Sequence, residues 1–143
     1  MSDSIFTKII KGEIPCHKIY EDDKTLAFLD IHPVQPGMTL VVTKRQIEDF
    51  TQLDDDELTA LMKTVKKVAL RMKEVFPDKK RIGLQVEGLD VSHVHVKLLP
   101  INSGAEFHAK QDTTAEPDHA ALAEMAKKLA FTGDTIEWWV VSS

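Results

Sequence analysis

The fold class that this sequence predicts is α+β: an antiparallel sheet of about five strands, a long covering helix and a short N-terminal helix. Three observations predict it. Strand-like segments come in consecutive runs, three before residue 44 and two between residues 81 and 101, which favours antiparallel pairing over βαβ crossovers. One long segment of helical period separates the two runs. No repeat, low-complexity tract or linker interrupts the 143 residues, so one compact domain over 1–143 is expected, with 102–143 as a C-terminal extension.

Each element has a local reason. In "DSIFTKIIKGEIP", Asp3 or Ser4 can cap a short helix, Ile5, Phe6, Ile9 and Ile10 form its apolar stripe, and Gly12 and Pro15 end it. "HKIYEDDKTLAFLDI" reads as a hairpin turning at "EDDK". The prolines and glycine of "IHPVQPG" set a loop, and the β-branched run in "MTLVVTK" makes the third strand. In "LDDDELTALMKTVKKVALRMKEVFP" the residues Leu58, Leu61, Met62, Val65, Val68, Ala69, Met72 and Phe76 keep the helical period. Asp54 with Glu57 forms a capping box, Leu53 and Leu58 a hydrophobic staple, and Pro77 the stop. "RIGLQVEG" and "SHVHVKLLPI" supply two more strands. "PDHAALAEMAKKLAF" is a weaker helix ending near Gly133, and "TIEWWVV" a final strand or packed tail.

Composition narrows the function. Apolar residues make up 43% and charged residues 29%, an ordinary globular balance. A net charge of −5 disfavours a general nucleic-acid binder, although local cations can still hold a small anion. The lone Cys16 forms no internal disulfide and suits a reducing compartment. Charges interrupt the N-terminal apolar residues, so no signal peptide is read there, and no stretch is long enough to span a membrane. A cytoplasmic protein is expected.

The chemistry concentrates in "VSHVHVKLLP". On a strand, alternate side chains share a face, so His93, His95 and Lys97 are expected to project one way and Val94, Val96 and Leu98 into a core. A solvated sheet face is the bland reading. A zinc site using both histidines with His108 or His119 is a second, which the neighbouring lysine disfavours. Phosphate chemistry is the third, with imidazole as nucleophile and adjacent cations stabilising the transferring group.

"SIFTKIIKGEIP", "IYEDDKTLAFLDIHPVQPG" and "LVVTK", followed by His93-Val94-His95-Val96-Lys97-Leu98-Leu99-Pro100, resemble the histidine triad family of nucleotide hydrolases and transferases, over about residues 4–101. The resemblance implies that His95 attacks the α-phosphorus of a purine nucleotide derivative. A nucleotidyl-imidazole forms and water releases the monophosphate. It implies that His93 helps to order the site, that Ile5, Phe6, Ile9, Phe28 and Ile31 pack the nucleobase, and that Asp30 accepts the ribose hydroxyls. By their residue types alone the apolar members of that set would be core. The resemblance also implies a homodimer, with Trp138 and Trp139 as candidate contacts, and no cofactor or metal.

The chain departs from the family's pattern at several places. Lys97 stands where the third histidine is usual, Met38 and Gln46 where two further histidines are common, and Leu89, followed by Asp90, where a glutamine is usual. As a cation, Lys97 can neutralise phosphate oxygens, but its ordinary pKa of roughly 10.4 suits proton transfer poorly. Two alternatives follow: a nucleotide-binding protein with little turnover, and a metal-dependent hydrolase using His93 and His95.

Overall fold

The computed structural model describes residues 2–132. The chain runs α1 (Ile5–Ile10), β1 (Lys18–Glu21), β2 (Thr25–Leu29), β3 (Thr39–Thr43), α2 (Asp55–Val75), β4 (Arg81–Gln85), β5 (His95–Ile101), α3 (Gly104–Phe107) and α4 (His119–Leu129), with a 3₁₀ turn at Phe50–Gln52. The five strands form one sheet in the order β1-β2-β3-β5-β4, and every neighbouring pair is antiparallel. The α+β class and the five-stranded antiparallel sheet are thus as the sequence predicts. No helix among the described residues is long and apolar enough to cross a membrane.

The capping signals at the helix starts act as their residues dictate. Ser4 accepts from the Thr7 amide at the start of α1, and Asp54 and Glu57 close a reciprocal box at the start of α2. After α1 the chain reverses at Gly12, whose φ of +81° lies in the left-handed region that glycine tolerates best. The β1–β2 turn is tied by Asp22, which accepts from the amides of Lys24 and Thr25.

The sheet is apolar on both faces, and the two faces have different fates. Ala27, Leu29, Val41, Val96 and Leu98 meet Leu61, Val65, Val68 and Met72 of α2 and Leu122 and Leu129 of α4 in the main core. Leu26, Phe28, Leu40 and Val42 form a smaller cluster with Phe6 of α1. The alternation of β5 follows from the strand period: Val94, Val96 and Leu98 enter the main core, as expected, while His95 and Lys97 fall on the α1 side.

Four local expectations need correction. The short helix α3 and the 3₁₀ turn carry too few residues to show a period. β5 begins at His95, two residues later than the stretch suggested, because His93 lies in the bend before the strand. On α2, Leu58 and Met62 follow the apolar period yet are exposed, whereas Thr64 is buried. Its hydroxyl satisfies itself against Thr25 Oγ1 at 2.7 Å, which the spacing of apolar residues cannot reveal. Finally, α4 stops at Leu129, before Gly133. Beyond it the chain still packs on the body: the Phe131 amide donates to Ile19 O, and its ring stacks on Tyr20 at 4.9 Å. Gly133, "TIEWWVV", Trp138 and Trp139 lie outside the described residues.

Candidate active site

The α1 face of the sheet carries the polar residues that the main core excludes. His93 is wholly buried at the entrance to β5. Its Nε2 lies 2.6 Å from Thr43 O, a carbonyl that can only accept, so Nε2 carries the proton. Its Nδ1 is then an acceptor and takes the Ser4 hydroxyl at 2.7 Å. Both nitrogens of His93 are therefore engaged by protein groups, and its one lone pair, on Nδ1, is taken by Ser4 rather than left for a metal. His119, one of the histidines considered as a third zinc ligand, instead meets His17 at 3.0 Å. Among the described residues, no group of three or more His, Cys, Asp or Glu is arranged to hold a metal ion.

His93 passes its position on through the main chain. Its carbonyl oxygen lies 2.8 Å from His95 Nδ1. That carbonyl also can only accept, so the His95 proton sits on Nδ1 and Nε2 keeps its lone pair. Nε2 has no protein partner among the described residues, and His95 lines a cavity of about 210 Å³ with Glu48, Phe50, Glu87, Gly88 and Leu89. The Phe6 ring stands edge-on to His95 at 4.9 Å and to His93 at 5.7 Å, which fixes both imidazoles from the α1 side.

Burial disfavours the charged form of both rings. It pushes His95 below the ordinary imidazole range; the bond to the His93 carbonyl opposes this and the Lys97 charge adds to it. His93 is lowered chiefly by burial too, against the pull of the Thr43 carbonyl. Both folded-state values lie below the unfolded value of roughly 6.5, so the unfolded chain binds more protons at mildly acid pH. The stability they contribute is fully present above about pH 6.5 and is lost as pH falls below it. Urea unfolding at pH 7.5 and 5.5 is expected to show this loss, and His95→Asn should shrink the difference by up to about 1.4 kcal/mol per pH unit. An unchanged difference would mean that His95 titrates normally.

Beside the histidines lies an apolar cavity of about 240 Å³, lined by Ile5, Phe6, Ile9, Phe28, Asp30 and Ile31 together with Cys16, Leu40 and Val91. All six positions that the sequence nominated for base and ribose are thus brought to one cavity. Ile5 and Ile31 are 48% and 42% exposed, unlike the core residues Phe6 and Phe28. Asp30 is 8% exposed, and its Oδ1 accepts from the His32 amide at 2.9 Å. Lys97 lies on the same sheet face, where its Nζ donates to Gln111 Oε1 at 2.7 Å. Next to it is a third cavity of about 400 Å³, which Met38, Glu87, Asp90 and His108 also line.

The sequence and the fold have counterparts in known proteins. Residues 11–104 match the HIT domain family. The chain is a HIT-domain protein. It is 45% identical over 103 residues to an uncharacterized HIT-like protein of Methanocaldococcus jannaschii, covering 70% of this chain and 80% of the relative. It is 38% identical over 100 residues to an adenosine 5'-monophosphoramidase of Schizosaccharomyces pombe, covering 67% of this chain and 72% of the relative. Its fold resembles a Hit-like protein of Bartonella henselae described as involved in cell-cycle regulation, with a TM-score of 0.77 at 31% identity, over 89% of this chain and 93% of that one. A HIT family member from Bacillus subtilis gives 0.69 at 32% identity, over 91% and 99%.

The roles of three polar residues of this HIT domain are not visible in the sequence. Ser4 was visible as a cap, but not as the partner of His93. Gln46 is drawn to the start of α1, where its Oε1 accepts from the Ser4 amide at 2.8 Å and the Thr7 hydroxyl at 2.6 Å. It thereby steadies the hydroxyl that holds His93. Gln111 sits in the aperiodic stretch "HAKQDTTAEPD" and gave no signal.

Proposed function

We propose that this HIT-domain protein hydrolyses or transfers at the α-phosphate of a purine nucleotide derivative, through a nucleotidyl-His95 intermediate. One observation carries the reading: His95, its Nδ1 proton locked on a carbonyl, presents an Nε2 with no partner among the described residues, against Phe6 of an apolar cavity that the buried Asp30 also lines. In that geometry the base fills the cavity between Ile5, Ile9 and Ile31, and Asp30 accepts the ribose hydroxyls. The Nε2 lone pair forms the N–P bond as the bond from phosphorus to the leaving group breaks. Water then attacks the phosphorus, restoring the imidazole and releasing the monophosphate. The adenosine 5'-monophosphoramidases among the relatives support a phosphoramidate as the first substrate to try.

Lys97 takes the place of the third histidine in this reading. It neutralises charge on the phosphate oxygens and does not deliver a proton, so the preferred leaving group needs little protonation. Pairing with a second copy belongs to the same proposal. β4 is an edge strand carrying exposed Leu84, with exposed Val86 just beyond it, and exposed Leu58 and Met62 lie on α2.

Binding tests the pocket before any turnover is measured. AMP at millimolar concentration is expected to raise the melting temperature, since a ligand specific for the folded state stabilises it. Asp30→Ala should weaken AMP more than its 2'-deoxy analogue, and Lys97→Ala should weaken AMP more than adenosine. Each loss should be about tenfold, the worth of one or two hydrogen bonds to a charged group. No thermal shift with AMP would remove the pocket from the proposal. Light scattering on the same samples reads the assembly, and a mass of 16.1 kDa rather than twice that would end the pairing.

A further inference from the structure

Gln111 is a polar side chain that the chemistry above does not use, and its hydrogen bonds are unusual in what they join. Its Nε2 donates to Asp30 Oδ2 at 2.9 Å and to His32 O at 2.9 Å, which spends both amide hydrogens. Its Oε1 accepts from Lys97 Nζ at 2.7 Å. One carboxamide therefore spans the acid that lines the apolar cavity and the cation two residues beyond His95, on segments 81 and 14 residues away in sequence.

The neutrality of the link matters. A carboxamide donates to a carboxylate and accepts from an ammonium while cancelling neither charge. A carboxylate at 111 would neutralise Lys97 and repel Asp30; an ammonium would do the reverse. Lys97 makes no ion pair among the described residues, so its charge stays available. Capacity is left at both ends as well. A carboxylate offers about four acceptor positions, and the protein uses two at Asp30; an ammonium has three donors, and Gln111 uses one at Lys97.

We propose that Gln111 is a positioning residue that fixes the distance between Asp30 and Lys97 to that between the sugar hydroxyls and the 5'-phosphate of one nucleotide. The proposal rests on the roles given above to Asp30 and Lys97. It makes recognition of sugar and of phosphate interdependent: a ligand with both groups gains more than the sum of the two parts.

Calorimetric titration with AMP, 2'-deoxy-AMP and adenosine tests it, using the wild type, Gln111→Ala, the same-shaped Gln111→Glu, and Gln111→Ala combined with Asp30→Ala or with Lys97→Ala. Gln111→Ala is expected to weaken AMP by about tenfold and to lower both the AMP-to-adenosine and the AMP-to-deoxy-AMP preference. In the Asp30→Ala and Lys97→Ala backgrounds it should cost about threefold or less, because the link already lacks an end. Gln111→Glu should lose both preferences while preserving side-chain size. An equal loss for all three ligands in every background, or no loss, overturns the proposal and leaves Gln111 a loop anchor. If Asp30→Ala and Lys97→Ala themselves leave the two preferences unchanged, the assignment of those residues falls, and the proposal falls with it.

Discussion

His95→Ala is expected to lower kcat on an adenosine phosphoramidate by about 10⁴-fold or more, the scale seen when a covalent nucleophile is removed from other hydrolases. AMP binding should stay within about threefold, because the apolar cavity, Asp30 and Lys97 remain. The two readouts together carry the weight. His95 is buried and touches Phe6, so a variant that simply misfolds would lose binding as well. Intact mass of the wild type, quenched during turnover, should show a nucleotidyl adduct that the variant lacks. Undiminished turnover in His95→Ala would end the covalent route. Normal binding with no turnover by the wild type would leave the chain a nucleotide-binding protein.

His93→Ala should behave differently, and the difference separates a positioning role from a chemical one. The substitution opens a cavity at a wholly buried site and leaves Thr43 O without its donor. A loss of about 3 kcal/mol is expected, which for a chain of this length lowers Tm by roughly 10 °C. The group that His93 gives to His95 is its backbone carbonyl, and alanine keeps that carbonyl. Turnover should therefore fall by only about 10–100-fold, as the bend loosens and the acceptor wanders. His93→Gln restores a donor near the position of Nε2 and should recover part of both losses. If His93→Ala is as inactive as His95→Ala yet nearly as stable as the wild type, the His93 ring itself takes part in the chemistry.

What the sequence disclosed, and what it hid, follows from the range of the forces involved. The cap of α1, the capping box of α2 and the alternation of β5 are set by neighbours a few residues apart, and all three were legible. The exposed Leu58 and Met62 were misplaced because a helical period fixes which residues share a face, not what covers it. The burial of His93 was missed for a related reason. HxHxK gives one face in common, and His93 and His95 do both meet Phe6, but the groups that bury His93 come from Ser4 and Thr43, far away in sequence. Gln111 was the least visible of all, because its meaning lies wholly in contacts to distant segments.

The two-sided sheet constrains how this chain can vary over evolutionary time. Deleting or inserting one residue within His95–Leu99 would turn His95 toward α2 and bring a valine to the α1 side, while the pairing with β3 could persist. Such an indel would damage packing and chemistry at once, with no intermediate in which only one is harmed. The loops at residues 31–37 and 86–92 can absorb length changes without inverting any strand, and they border the cavities. New substrate preferences are thus expected to arise by resizing these loops, while the register of β3 against β5 stays fixed.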